Sequence, residues 1–146
     1  MRGYQVRIYF EDTDCGGIVY HTNYIKYCER ARSELFFAQG YMPIFRECGF
    51  VLKSLEADFC ISARLGDLLE VRSELKEMKN ASVILNQNIY RIYNALENRQ
   101  CDELVFKGEI TLAFVDVKNG KITKIPQQMR EVLSHNVSLD IGGGQR

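Results

Sequence analysis

The 146-residue chain carries no net charge, because nineteen acidic side chains offset nineteen basic ones. Without a net positive field it has no general means of holding a nucleic-acid backbone or an anionic membrane, so an anionic ligand must be met by a local patch. No apolar run exceeds a few residues, which leaves no candidate transmembrane segment. Met1 leads directly into a strand-like pattern without the apolar stretch and cleavage site of a signal peptide, so the cytosol is the expected compartment. His21 and His135 are the only histidines and cannot form a paired-histidine zinc motif. Also missing are a glycine-rich phosphate loop ending in lysine and serine, and a Gly-x-Ser-x-Gly nucleophile elbow. The five cysteines (Cys15, Cys28, Cys48, Cys60 and Cys101) are odd in number and scattered, without redox or zinc spacing. They read as reduced thiols, mostly small core residues. No metal or other cofactor is expected.

What is present fits one globular domain over residues 1–135, with 46% hydrophobic and 26% charged residues spread evenly. Residues 136–146, ending Gly142-Gly143-Gly144-Gln145-Arg146, read as a mobile tail. Val6, Ile8 and Phe10 alternate with Gln5, Arg7 and Tyr9, the period of a strand. From about Asn23 to Gln39 the positions Tyr24, Cys28, Ala31, Leu35 and Ala38 recur at helical steps, with Thr22 or Asn23 as N-cap and Gly40 as C-cap. A helical turn is expected over Pro43 to Cys48, then an extended segment from Phe50 to Phe59. Leu69, Val71 and Leu75, then Val83, Leu85 and Ile89, repeat the strand period around a Lys79-Asn80 turn. Leu104, Phe106, Gly108, Ile110, Leu112 and Phe114 continue it on one face. Short turns at Asn98-Arg99 and Lys118-Asn119-Gly120 imply antiparallel hairpins. One long helix on an antiparallel sheet makes an α+β domain. Apolar Val105, Ala113 and Val115 on the opposite sheet face suggest a partner subunit.

The first strand runs into an acidic, glycine-containing turn, Glu11-Asp12-Thr13-Asp14-Cys15-Gly16-Gly17, just before the helix. Asp12 and Asp14 have the spacing of the first two ligands of a calcium loop. Gly16 then stands at the third ligand position and Asn23 where the bidentate glutamate belongs, which leaves too few oxygens. On composition alone Asp14 reads as a turn aspartate that caps backbone amides.

The run Tyr9-Phe10-Glu11-Asp12-Thr13-Asp14-Cys15-Gly16-Gly17-Ile18-Val19-Tyr20-His21-Thr22-Asn23-Tyr24, continued by Glu29-Arg30-Ala31-Arg32, changes that balance. It resembles the active-site signature of the 4-hydroxybenzoyl-CoA thioesterase family, and more closely the acyl-CoA thioesterase branch associated with the Tol-Pal cell-envelope system. A weaker match continues through Ala63-Arg64-Leu65-Gly66-Asp67. The resemblance implies a hotdog fold, a sheet wrapped around the long helix, assembled as dimers or tetramers with sites at subunit interfaces. It implies an acyl-CoA substrate, with an acyl carrier protein as a further candidate partner.

By the same resemblance Asp14 matches the catalytic aspartate, and the backbone amide at His21 matches the donor to the carbonyl oxygen. An aspartate of ordinary pKa is ionised at cytosolic pH, so it can attack a thioester carbonyl or deprotonate a water. A helix start offers free N–H groups and a positive dipole end to the oxyanion. Gly16 and Gly17 let the backbone approach the thioester. The His21 imidazole is a second catalytic candidate, with packing at the helix start as its alternative. Lys53, Arg64, Lys79 and Asn80 are the candidates for the CoA phosphates, and Tyr24 a candidate substrate contact. The sequence departs from the branch at Phe10, where a tyrosine is common. A non-catalytic acyl-CoA or acyl-carrier-protein binding module is the rival reading. A hotdog dehydratase ranks last, since the histidine-and-proline-rich motif of that group is missing and Pro43 and Pro126 are the only prolines.

Overall fold

The computed structural model describes residues 3–135. Two short segments open the chain: strand β1 (Tyr4–Arg7) and a single 3-10 turn (Phe10–Asp12). Helix α1 (Thr22–Phe37) follows, then β2 (Ile44–Phe45), β3 (Cys48–Phe59), β4 (Leu68–Met78), β5 (Ser82–Asn94), β6 (Arg99–Asp116) and α2 (Gln127–His135). The strands make one antiparallel sheet in the order β1-β4-β5-β6-β3-β2. This is the α+β arrangement implied by the hotdog resemblance. Among the described residues no helix is long and apolar enough to cross a membrane.

Tyr24, Tyr27, Cys28, Ala31 and Leu35 line one face of α1 at three- and four-residue steps, and all are buried. They meet Leu69 and Val71 of β4, Val83, Leu85 and Ile89 of β5, and Phe106, Ile110 and Phe114 of β6 in one cluster, which also takes in Ile8 and Leu133. Each fully buried leucine or isoleucine there contributes roughly 1.5–3 kcal/mol. At the end of α1 the amides of Gly40 and Tyr41 donate to the Phe37 and Phe36 carbonyls, which closes the helix at the expected glycine.

Several expectations need correction. β1 stops at Arg7 rather than Phe10, because the Ile8 amide and carbonyl pair with Asp67 and Gly66 of a distant loop. Tyr9 and Phe10 therefore lie in a turn, and Phe10 is 77% exposed. Thr22 and Asn23 sit inside the helix; His21 occupies the N-cap position without a side-chain cap bond. The segment from Pro43 to Cys48 is a hairpin turned at Arg46 (φ 58°), not a helical turn. Val105 is fully buried. It is the extra residue of a β-bulge between the pairs Ile89–Phe106 and Tyr90–Leu104, so it leaves the alternation that assigned it to the outer face. Helix α2 is an addition to the expected elements, and Pro126 followed by Met129, Val132 and Leu133 carries its sequence signal. The tail expected over 136–146 lies outside the described residues.

Candidate active site

Asp14 stands in a tight hairpin closed by a bridge between Thr13 and Val19 and by the Asp14 amide donating to the Ile18 carbonyl at 2.9 Å. The Gly16 amide donates to Asp14 Oδ1 at 2.8 Å, and the Gly17 amide to the Asp14 carbonyl at 3.1 Å. This is an Asx turn, and it works here because Gly17 takes φ +79°, a left-handed conformation that costs side-chain-bearing residues energy. One carboxylate oxygen is thus fixed, while Oδ2 has no partner among the described residues. The residue is exposed.

The hairpin is held from outside. The Val19 amide donates to the Ala63 carbonyl at 2.9 Å and Ile18 bridges Arg64. The 62–67 loop is itself fixed by buried Asp67. Its carboxylate accepts the Arg64 amide at 2.9 Å, the Ala95 amide at 2.9 Å and Arg91 Nη1 at 3.0 Å. Arg91 also pairs with Glu103 at 2.8 Å and donates to the Ser62 carbonyl at 3.3 Å. Gly66, at φ +90°, is required because a Cβ there would come within 2.8 Å of the Ala95 Cβ. On the other side the Tyr20 amide and Asn23 Nδ2 both donate to the Asp12 carbonyl, at 3.0 and 2.9 Å, tying the first turn of α1 to the hairpin.

The helix start adds a donor pair. The Asn23 and Tyr24 amides are drawn back to the Tyr20 and His21 carbonyls, which leaves the His21 and Thr22 amides without an acceptor among the described residues. The His21 ring packs against Tyr20 at 4.7 Å and edge-on to Phe59 at 5.9 Å between centroids. A carboxylate on a hairpin that leads into a helix start with unpaired amides combines the parts for a reaction that builds negative charge on a carbonyl oxygen.

The other candidates divide between near and far. Gly16 and Gly17 form the Asp14 turn, and the Arg64 backbone touches it through Ile18. Tyr24 is buried; its hydroxyl accepts the Ala63 amide at 3.1 Å and its ring stacks on Phe106, so it supports the loop rather than facing solvent. Lys53 lies at a bulge in β3, six residues from Phe59. Lys79 and Asn80 form the β4–β5 turn, with Arg130 donating to both carbonyls. They are separated from the 62–67 loop by the whole of β4, about 33 Å at ~3.3 Å per residue. Cys15 is exposed, whereas burial pushes the Cys28 thiol up to about 12. Asp12 Oδ2 accepts the Tyr9 amide at 2.9 Å. No metal-holding group of histidine, cysteine, aspartate or glutamate side chains occurs among the described residues. The sequence reading missed Asp67, Arg91 and Asn23 as supports. Arg91 and Gln87 left a signal, as polar interruptions on the otherwise apolar inner face of β5.

Comparison with known proteins bears on this arrangement. A family model described as the thioesterase-like superfamily matches residues 8–133. An acyl-CoA thioesterase YbgC of Helicobacter pylori is 46% identical over 128 residues, which cover 88% of this chain and 96% of the relative. Its namesake in Haemophilus influenzae is 35% identical, covering 90% and 93%. Among solved structures, a probable thioesterase from Bartonella henselae superposes with a TM-score of 0.70 at 27% identity, covering 84% of this chain and 96% of that one. A 4-hydroxybenzoyl CoA thioesterase mutant complexed with 4-hydroxybenzoyl CoA superposes at 0.76 with 23% identity, over 89% and 96%, a likeness of fold.

Proposed function

The chain belongs to the thioesterase-like superfamily, and on that premise we propose that it hydrolyses acyl-CoA thioesters to a free carboxylic acid and CoA, with Asp14 as nucleophile or general base. The names of the relatives at 46% and 35% identity support the reaction class. The observation that carries the residue assignment is the divided Asp14 carboxylate, with Oδ1 held by the Gly16 amide and Oδ2 without a partner among the described residues, on an exposed hairpin that the Asp12 carbonyl ties to the first turn of α1.

In this reading Oδ2 either attacks the thioester carbon, forming a mixed anhydride that water then cleaves, or takes a proton from an attacking water. In both routes the carbonyl oxygen becomes an oxyanion, and the His21 amide receives it. The thiolate leaves as CoA and gains a proton. The His21 ring, packed by Tyr20 and Phe59, walls the site and orients water.

The phosphates of CoA are met by Arg64 in the same chain and by Lys53, Lys79 and Asn80 from a second copy. The support for a homodimer is the free edge of β3. Its partner β2 pairs only with Cys48 and Gly49, so Phe50 to Phe59 has no neighbour on that side among the described residues. Val51 and Leu52 on this segment are 42% and 46% exposed. Two such edges pairing antiparallel about a two-fold axis bring the Phe50 end of one copy to the Phe59 end of the other. The Lys79-Asn80 turn lies at the Phe50 end, since the Phe114 amide bonds the Ala81 carbonyl and Phe114 pairs with Phe50.

The test is thiol release from acyl-CoA by Asp14→Asn, expected to lose roughly 10³-fold in kcat with an unchanged melting temperature. Near wild-type turnover by this variant overturns the assignment. Multiple turnovers in ¹⁸O-water distinguish the routes, because only the covalent one labels the Asp14 carboxylate.

A further inference from the structure

Away from Asp14, the C-terminal half of α1, the β2–β3 hairpin and the inner face of β6 enclose a cavity of about 280 Å³. Phe36, Phe50, Leu112 and Leu133 wall it, and Ile44 and Val51 line its exposed side. Arg32 reaches it from α1. Among the described residues Arg32 makes one hydrogen bond, from Nη1 to Gln87 Oε1 at 3.0 Å. Gln87 is locked in turn, since its Nε2 donates to Ser73 Oγ at 2.9 Å and to the Cys28 carbonyl at 3.1 Å.

No carboxylate comes within ion-pair distance of Arg32 among the described residues, which sets it apart from the other sheltered arginines. Arg91 pairs with Asp67 and Glu103, and Arg72 with Glu70 and Asp102. Glu29, one turn earlier on α1, lines the same cavity, but its charge acts on Arg32 only from a distance. Burial pushes the Arg32 pKa below its ordinary value, as expected of a cation that has lost water without gaining an anion. A guanidinium in that state matches a carboxylate, to which it can donate two parallel hydrogen bonds.

We infer that this cavity binds a carboxylate carried on a hydrocarbon chain, the carboxylate pairing with Arg32 and the chain filling the apolar walls. At roughly 30 Å³ per water-sized group, 280 Å³ holds about nine non-hydrogen groups, between a six- and an eight-carbon acid. Two sources share this chemistry: a free acid of the kind the proposed hydrolysis releases, or the distal carboxyl of a diacid acyl group. The choice between them rests on the proposed reaction, whereas the site does not.

The test titrates the whole protein calorimetrically with octanoate and with 1-octanol, in the wild type, Arg32→Met and Asp14→Asn. Octanoate is expected to bind wild type at least about tenfold more tightly than octanol, a preference lost in Arg32→Met. Equal affinities in the wild type, or a preference that survives Arg32→Met, overturn the inference. The wild-type comparison stands even where Arg32→Met does not fold. The Asp14→Asn protein binds octanoate whether or not it turns over, so failure of the site and failure of the proposed hydrolysis are read separately. Thiol release from octanoyl-CoA and from the mono-CoA thioester of octanedioic acid then identifies the source. A KM about tenfold lower for the diacid, lost in Arg32→Met, assigns the site to the acyl group; equal KM values with octanoate bound assign it to the free acid.

Discussion

Replacing Asp67 with alanine removes the acceptor of two backbone amides and one of the two carboxylates on Arg91. Each amide left dry costs ~1–3 kcal/mol. Arg91 keeps Glu103 and the Ser62 carbonyl, so its loss is partial. Some water will reach the 62–67 loop and offset part of the sum, which sets the expected destabilisation at about 3–5 kcal/mol, the scale of a broken buried pair. For a chain of this length that lowers the melting temperature by about 10–16 °C. Asp67→Asn keeps one acceptor oxygen, but the Ala95 and Arg64 amides bond different oxygens of Asp67, so one amide loses its acceptor and about 1–3 kcal/mol is expected. Urea denaturation followed by circular dichroism measures both. Because Ala63 and Arg64 brace Val19 and Ile18, the Ala variant should also lose roughly 10–100-fold in kcat/KM well below its melting temperature. A loss under 1 kcal/mol refutes the energetic argument. Full kcat/KM in a destabilised protein refutes the claim that this loop positions Asp14.

Gly16→Ala places a Cβ 3.3 Å from Asp14 Oδ1; kcat should fall about tenfold while the melting temperature holds, as expected of a small displacement of a reacting group. Leu52→Lys, on the free edge of β3, should shift the mass measured by light scattering towards the monomer and lower kcat/KM. An unchanged mass rejects that edge as the interface. The Cys28 thiol, pushed up to about 12 by burial from an ordinary 9.0, keeps its proton in the folded state while the unfolded thiol ionises. Stability from this group is therefore complete below about pH 9 and falls as pH rises towards 12, by ~1.4 kcal/mol per unit. Cys28→Ser should flatten that alkaline limb in urea titrations at pH 8 to 10.5; an unaltered slope rejects it.

Helix α1 and the long hairpins were readable because their apolar periods are local and match the faces they bury. The Asp14 turn was readable too, since adjacent glycines and Asx residues punctuate the chain wherever they occur. What escaped was long-range. Ile8 is taken out of β1 by Gly66 and Asp67, nearly sixty residues away. The bulge at Val105 comes from the register of β5 against β6, which no alternation in one strand reveals. Lys53, Arg64, Lys79 and Asn80 are polar positions whose relative placement no local pattern fixes, and the sheet spreads them over both of its ends.

The bracing of the Asp14 hairpin by residues 63 and 64 also sets an order of events. Asp14 cannot take its place until Ile18 meets Arg64, and that loop cannot settle until Asp67 finds Arg91 and Ala95 at the far end of β5. The hairpin over residues 13–19 therefore depends on a loop and a strand end much later in the chain, a closure whose entropic penalty is met only once most of the sheet exists. On refolding, the hairpin bearing Asp14 is expected to be among the last parts to gain hydrogen-exchange protection. A chain cut short before β5 would have every residue of the Asp14 signature and nothing to hold it in shape.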